Sequence, residues 1–164
     1  MKKIKLVNQM LFALVDDEDY EMLSRYDWYK VRPRTVTYAY TKINNRTVYM
    51  HQLILPIPSK DLTVDHIDND GLNNVKSNLR LATRTQQSQN RRKQINGITS
   101  KYKGVRFHNR DHAWEANIVY NGKHIYLGSF DTEIAAAKAF NRAAKRYHGE
   151  FASLNVIEEG EKTN

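Results

Sequence analysis

The chain contains no cysteine, and this absence narrows the chemistry open to it. Without thiols it can form neither disulfide bonds nor thiolate zinc sites, so any bound metal must rest on oxygen and nitrogen ligands. Long apolar runs are also missing, since no stretch approaches the ~20 residues of a membrane span. The N-terminus, MKKIKLVNQM, passes straight into polar residues rather than into the apolar part of a secretion signal. We therefore expect a soluble, unsecreted protein.

Acidic residues are scarce in the second half of the chain. Residues 71–164 hold sixteen Lys or Arg and eight Asp or Glu, whereas residues 1–70 hold ten of each, so the entire net charge of +8 lies after residue 70. This asymmetry indicates a polyanionic partner that is contacted mainly by the C-terminal half. A solvated basic face is the alternative interpretation. With 164 residues and 40% hydrophobic content, two small modules with modest cores are expected.

The stretch from 63 to 87, TVDHIDNDGLNNVKSNLRLATRTQQ, combines an Asp-His pair with a loop rich in Asn and Asp. Phosphodiester hydrolysis needs a base for the attacking water and a group that holds charge on the leaving oxygen. A histidine and a carboxylate-bound divalent cation supply both, so His66 is the candidate base and Asp65 the candidate metal ligand. Neighbours on a regular strand point to opposite faces, so both can serve one site only if the strand ends or distorts there. The Gly, Asn and Asp residues that follow favour such an ending.

The joint spacing of Asp65-His66 and Asn78-Leu79-Arg80, followed by a polar segment, resembles the ββα-metal motif of the HNH homing endonucleases. This resemblance implies a strand that bears the base, a loop, a second short strand and a helix that returns the last ligand to one Mg²⁺ or Mn²⁺. It assigns Asp65 to the metal and His66 to water activation, while Asn78 orients the histidine or braces the loop. Arg80 could neutralise the phosphate or form a structural ion pair.

The last ligand position of the motif falls on Gln87, where the family usually shows Asn or His. Gln offers the carbonyl oxygen that Mg²⁺ prefers, but one methylene farther out. Asn90, one helical turn on, is the less favoured substitute. Gln87 therefore leaves two functions open: an active nuclease, or a DNA-binding protein or repressor with a degenerate centre.

The residues before the motif predict a small supporting structure. Leu11–Val15 suits a strand, and residues 16–26 suit a short helix, whose four leading acids are interpreted as capping charges rather than as a metal cluster. Aromatic and β-branched residues around Asn44-Asn45 predict a hairpin within 28–50. His51 either supports the motif, as similar segments do in phage relatives of this family, or is a buried structural histidine.

A second module is predicted between residues 101 and 155. Three alternating runs at 103–108, 113–120 and 123–130, with Asn121-Gly122 as a strong hairpin turn, form an antiparallel sheet that is apolar on one face. A helix from Asp131 or Thr132 to about Tyr147 covers that face through the spacing of Ala136, Phe140, Ala143 and Tyr147. The other face is polar and partly basic, and it suits the DNA major groove.

The segments KYKGVRFH, YLGSFDT and AAAKAFNRAAKRYHGEFASLN resemble the apetala-two DNA-binding domain of plant ethylene-response factors, whose fold uses the same sheet face. We expect base contacts from Arg106, His108, Asn117, His124 and Tyr126, and phosphate contacts from Lys103, Arg110, Lys123 and the linker residues Arg91, Arg92 and Lys93. A protein or RNA partner for this face is the alternative.

The sequence thus predicts an α+β protein with an N-terminal ββα-metal nuclease domain, to which a β-hairpin region is added, and a C-terminal three-stranded antiparallel sheet packed on one α-helix. The expected divisions are a nuclease domain at 1–90 with its core at about 61–90, a basic linker at 91–100, the DNA-binding domain at 101–155 and an acidic tail at 156–164. The expected function is a homing-type, site-specific endonuclease that nicks double-stranded DNA, without a membrane or an implied protein partner. If a phage encodes it, it would act in the bacterial cytoplasm.

Overall fold

The computed structural model describes residues 1–33, 36–91 and 99–157. Helices and short strands alternate in several small sheets, so the protein belongs to the α+β class. The chain divides into two compact units, Met1–Gln87 and Ser88–Asn164. Arg92, Lys93, most of the predicted linker and the end of the predicted acidic tail lie outside the described residues. Within the described part, no helix is both long and apolar enough to cross a membrane.

The first unit begins with an antiparallel strand pair and a helix. Strand β1 (Lys2–Lys5) pairs with β2 (Phe12–Val15), and α1 (Asp17–Leu23) follows. The predicted strand and helix are thus confirmed, although the helix is shorter than predicted and β1 was not foreseen. Trp28 is almost fully buried, and its Nε1 donates a hydrogen bond to the carbonyl of Leu23 where the helix ends. These elements bury the core of the unit with Leu6, Val15, Leu23 and Met50.

The predicted hairpin is present with one additional strand. A three-stranded sheet contains β3 (Tyr29–Val31), β4 (Tyr38–Ile43) and β5 (Arg46–Tyr49), in that order. Asn44 and Asn45 both have positive φ angles, 50° and 59°, as a type I′ turn requires. A short helix, α2 (Met50–Ile54), continues from β5 and buries His51. The hairpin and this helix bring aromatic rings toward the following strand.

The segment that carries the Asp-His pair forms a strand pair and a helix. Strand β6 (Leu62–His66) pairs antiparallel with β7 (Leu79–Thr83), and α3 (Arg84–Asn90) follows β7 directly. The intervening loop is attached to β2, because Leu14 donates its N–H to Leu72 and accepts one from Asn74. Strand β6 ends at His66, which is the ending that a shared site for Asp65 and His66 needs.

The second unit has the predicted sheet and helix. Strands β8 (Val105–His108), β9 (Ala113–Tyr120) and β10 (Lys123–Phe130) form an antiparallel sheet in the order β10-β9-β8, and α4 (Glu133–His148) packs on it. Thr132 caps this helix by accepting the N–H of Ala135. Gly104 has a φ of 73°, and a Cβ there would meet the Phe140 ring at 2.1 Å, so only glycine permits this close approach.

The predicted alternation of β10 is interrupted near its end. The register shifts between Tyr126 and Gly128, which stand opposite Asn117 and Ala116 of β9. A bulge of this kind inserts an extra residue and bends the strand. Leu127 continues the alternation from Ile125 and packs against the helix-covered core, as the sequence predicted.

Candidate functional site

Asp65 is held by Arg80 across the β6–β7 pair. The two residues are direct partners in the register. Asp65 Oδ2 accepts hydrogen bonds from Nε and Nη2 of Arg80 at 3.0 and 2.9 Å, and the side chains are only 7% and 13% exposed. A shielded charge-assisted pair of this kind fixes the carboxylate firmly. Of the two roles left open for Arg80, the structure therefore provides the ion pair.

His66 is buried and hydrogen-bonded to Asn74, which the sequence did not single out. His66 Nε2 lies 3.1 Å from Asn74 Oδ1. The amide of Asn74 donates through Nδ2 to the carbonyl of Gly71 at 3.5 Å, so its oxygen faces the histidine. An oxygen acceptor selects the tautomer with hydrogen on Nε2 and places the basic lone pair on Nδ1. Asn74 is itself fully buried and attached to β2 through the carbonyl of Leu14.

Aromatic rings enclose the same histidine. The ring of His51 lies 5.1 Å from that of His66, and the ring of Tyr38 lies 5.7 Å from each of them. Tyr49 stacks on His51 at 5.5 Å. His51 is thus both buried and in contact with the predicted base, which unites its two interpretations.

Burial keeps both imidazoles neutral near pH 7. Desolvation, with a contribution from the charge of His66, lowers the pKa of His51 to about 3. Burial also lowers the pKa of His66, against the opposing effects of Asn74 and of the carboxylates of Asp68, Asp65 and Asp70. A neutral imidazole is the form that can accept a proton.

Asn78 braces the loop. Its Nδ2 donates to Asp68 Oδ1 at 2.9 Å and to the carbonyl of Asn73 at 2.8 Å. Its Oδ1 accepts the N–H of Asp68 at 3.1 Å. Burial raises the pKa of Asp68, but hydrogen bonds from Asp70, Asn73 and Asn78 outweigh it and lower the pKa below its usual value. Asn74 is the residue that orients His66, whereas Asn78 shapes the turn that follows β6.

Gln87 lies in the middle of α3 and is half-buried. In the described part of the chain its side chain makes no hydrogen bond. Its neighbour Gln86 is engaged locally, because Gln86 Oε1 accepts from the N–H and the hydroxyl of Thr83 at 2.8 and 3.0 Å. Asn90, the substitute ligand, is 4% exposed at the end of the helix. Carboxylate and amide oxygens are hard donors, the kind that Mg²⁺ and Mn²⁺ prefer.

Some of the predicted DNA-binding residues of the second unit are paired with carboxylates of the protein, whereas others are exposed. Arg106 pairs with Glu115, whose Oε2 accepts from Nε and Nη2 at 2.7 Å each. His108 Nδ1 lies 3.1 Å from Asp111 Oδ2. Asn117 and Tyr126 are cross-strand partners, and the tyrosine is 58% exposed. The exposed residues of the predicted set also include Arg91, Arg110, Lys123 and His124.

Lys103 is engaged within the protein. Its Nζ donates to the backbone carbonyls of Gln89 and Arg91 at 2.6 Å each. Burial lowers the pKa of this lysine to about 8. A phosphate contact from Lys103 would require these bonds to be broken, and no signal in the sequence distinguished it from the exposed lysines.

Comparisons with known proteins match two different families to two different parts of the chain. A family model described as HNH endonuclease matches residues 56–89, and a model described as AP2 domain matches residues 100–150. An uncharacterized HNH endonuclease of Acanthamoeba polyphaga mimivirus is 37% identical over 149 residues, which is 90% of this chain and 76% of the viral protein.

Plant proteins match about a third of the chain. An AP2-like ethylene-responsive transcription factor of Arabidopsis thaliana is 46% identical over 59 residues, or 36% of this chain and 12% of the plant protein. An APETALA2-like protein of Oryza sativa subsp. indica is 47% identical over 57 residues, or 35% of this chain and 13% of that protein. No solved structure matches the chain.

Proposed function

Because the chain belongs to the HNH endonuclease family and carries an AP2 domain, we propose that it is a homing-type, site-specific endonuclease that nicks double-stranded DNA. The first unit hydrolyses the phosphodiester bond, and the AP2 domain selects the site. We divide the chain for this purpose into a nuclease domain at 1–90, a linker at 91–100, a DNA-binding domain at 101–155 and a tail at 156–164. If a phage encodes the protein, it acts in the cytoplasm of the bacterial host.

The observation that carries the proposal is the environment of His66. His66 is 5% exposed, its Nε2 is hydrogen-bonded to Asn74, and it follows Asp65 at the end of β6. Nδ1 then takes the proton of the attacking water, as general base catalysis requires. Tyr38 and His51 restrict the rotation of this ring by packing against it. Correct orientation of the base accounts for a large part of such catalysis.

Strands β6 and β7 with helix α3 constitute the ββα-metal unit in this proposal. Asp65 and Gln87 would hold one Mg²⁺ or Mn²⁺, and this ion would stabilise negative charge on the leaving oxygen. Arg80 Nε and Nη2 both donate to Oδ2 of Asp65. Arg80 orients this carboxylate and does not contact the phosphate. Asn78 keeps the turn after β6 closed.

The polar face of the C-terminal sheet provides the DNA contact. Asn117, His124 and Tyr126 lie on it, and the exposed Arg110 and Lys123 stand in or beside its two turns. Asn and Arg read adenine and guanine through paired hydrogen bonds in the major groove. Arg106 has to share its guanidinium with Glu115, which limits the geometry of any base contact. The basic excess after residue 70 supplies the attraction to phosphates.

A plasmid nicking assay tests the proposal. Wild-type protein with Mg²⁺ should convert supercoiled plasmid that carries the target into the nicked form, and His66→Ala should not, although it binds the same DNA in a gel-shift assay. The matched control is His112→Ala, which removes an exposed histidine of the other unit and should nick normally. If wild-type protein and His66→Ala both bind the target and neither nicks it, the protein is a repressor with a degenerate centre.

A further inference from the structure

The turn between β8 and β9 gathers three metal-ligating side chains in the second unit. His108, Asp111 and Glu115 each offer one ligand atom, and these atoms lie within 4.8 Å of one another. His108 ends β8, and Glu115 stands in β9 opposite Arg106. Because His108 and Arg106 are two residues apart, both project from the same face of the sheet as Glu115. The cluster therefore lies on the polar face, on the side of the sheet that α4 does not cover.

One ring nitrogen of His108 is buried beside a carboxylate without forming a hydrogen bond. Its Nδ1 is inaccessible to solvent and has no hydrogen-bond partner, although Asp111 Oδ2 lies 3.1 Å away. The two atoms are close but not aligned for a hydrogen bond. Two ligands of a tetrahedral ion with bonds of about 2.0–2.1 Å are separated by roughly 3.3 Å. The His108–Asp111 spacing is near that value.

Glu115 gives the cluster a buried carboxylate. Its side chain is 12% exposed, and Oε2 accepts both bonds from Arg106. Its other oxygen, Oε1, is the atom that an ion would use. The two carboxylates of the cluster outnumber the one guanidinium of Arg106, so the pairing with Arg106 does not cancel the attraction for a cation.

We propose that His108, Asp111 and Glu115 form a site for a borderline divalent transition-metal ion such as Zn²⁺. One nitrogen and two oxygen ligands with water in the fourth position suit this ion, whereas Mg²⁺ prefers oxygen ligands alone. The ion fixes the β8–β9 turn and adds positive charge beside Arg106. The site does not depend on the proposed nuclease activity, because its ligands and its test lie in the other unit.

Titration of the DNA-free, metal-free full-length chain with Zn²⁺ and Co²⁺ at pH 7 tests the proposal. The background is Asp65→Asn with His66→Ala, which removes the hydrolytic centre, and the readouts are calorimetry and the visible spectrum of Co²⁺. One equivalent of Zn²⁺ or of Co²⁺ should bind per chain. Since loss of a partner that merely supports a ligand weakens metal binding roughly 10- to 100-fold, His108→Asn and Asp111→Asn should each weaken it at least about tenfold.

The neighbouring His112 is the matched control. It is exposed in the same turn and lies outside the cluster, so His112→Asn should leave the affinity unchanged. Asp111 has a 61% exposed side chain, and thermal unfolding without metal should confirm that Asp111→Asn folds normally. The proposal is overturned if the background protein binds neither ion with a Kd below about 1 mM. It is also overturned if His108→Asn and Asp111→Asn bind like their parent, or if His112→Asn loses the ion equally.

Discussion

Asn74 Oδ1 lies 3.1 Å from His66 Nε2 in the interior of the first unit. The side-chain amide of Asn74 donates to the carbonyl of Gly71, and its backbone N–H donates to the carbonyl of Leu14. Two side-chain bonds and one backbone bond fix the direction of the amide oxygen. The tautomer and the orientation of the proposed base are therefore determined by a residue of the loop, which is itself paired with β2. Strand β2 thus supports the proposed chemistry although it carries none of it.

Replacement of Asn74 should reduce cleavage without reducing DNA binding. Asn74→Leu removes the acceptor for Nε2–H, whereas Asn74→Asp retains one. General base catalysis contributes roughly 10²- to 10⁴-fold, so we expect a loss of about 100-fold in kcat for Asn74→Leu and a smaller loss for Asn74→Asp. Single-turnover cleavage and gel-shift titrations measure the two effects. Equal loss in both variants, with unfolding temperatures like the wild type, would refute an orienting role for the amide oxygen.

Local patterns predicted the second unit well. The Asn121-Gly122 turn, the alternation of Val105 with its neighbours and the spacing of Phe140 in α4 are determined by residues close in sequence. The bulge before Gly128 was not predicted. It shifts the alternation by one residue, but only Gly128, Ser129 and Phe130 of β10 follow it, which is too short a run to show a new phase.

The site of the first unit was only partly predictable for a related reason. Asp65, His66 and Asn78 form a fixed spacing, but the contacts that give them roles are long-range. His51 meets His66 through the packing of α2 against β6, and Asn74 is selected over the other loop asparagines by its bonds to β2. The spacing of apolar and polar residues along the sequence contains no signal for such contacts.

The stability of the protein should fall with acid partly because of His51. Its pKa is about 3 when folded and 6.5 in the reference state, so the unfolded chain binds the proton more tightly. The contribution is complete above pH 6.5 and is lost as the pH falls toward 3, by about 1.4 kcal/mol per pH unit. Urea unfolding at pH 6.5 and pH 5 should therefore show a loss of about 2 kcal/mol from this group.

His51→Phe removes this titration while it keeps a ring against Tyr49 and His66. The variant should lose less stability between pH 6.5 and pH 5 than the wild type. His124→Gln, at an exposed position, should retain the wild-type dependence. Identical pH dependence in His51→Phe and the wild type would show that His51 does not account for the loss.

The ion pair of Arg80 with Asp65 should contribute more to the free energy of unfolding than a surface ion pair does. Removal of one partner leaves a buried charge uncompensated, which costs about 3–5 kcal/mol. Arg80→Leu should therefore lower the free energy of unfolding by about 3 kcal/mol, and Asp65→Asn in addition should recover part of it. Arg84→Leu, on the exposed start of α3, is the control. Denaturant unfolding measures all four, and a loss below about 1 kcal/mol for Arg80→Leu would place the pair among surface ion pairs.

Arg106 and Lys123 should differ in how they affect DNA binding. Loss of a base contact costs about 1–3 kcal/mol and relaxes specificity at one position. Loss of a phosphate contact weakens binding to all sequences and reduces the salt slope by about 1. We expect the first behaviour from Arg106→Ala and the second from Lys123→Ala, measured as affinities for a panel of single-base variants at several salt concentrations. If Arg106→Ala weakens all sequences equally, Arg106 contacts phosphate.

Gln87 provides the most direct test of whether the centre is compromised. Its amide oxygen lies one methylene farther from the backbone than that of asparagine, and near-octahedral Mg²⁺ tolerates little displacement. Gln87→Asn should therefore raise cleavage at limiting Mg²⁺, while the difference narrows at saturating metal. Gln86→Asn is the matched control, since Gln86 is bound to Thr83 and should leave the metal dependence unchanged. Cleavage by Gln87→Asn that equals or falls below the wild-type level at every Mg²⁺ concentration would show that Gln87 is not a weakened ligand. Asn90, which is buried one helical turn farther along α3, would then be the candidate for the last metal ligand.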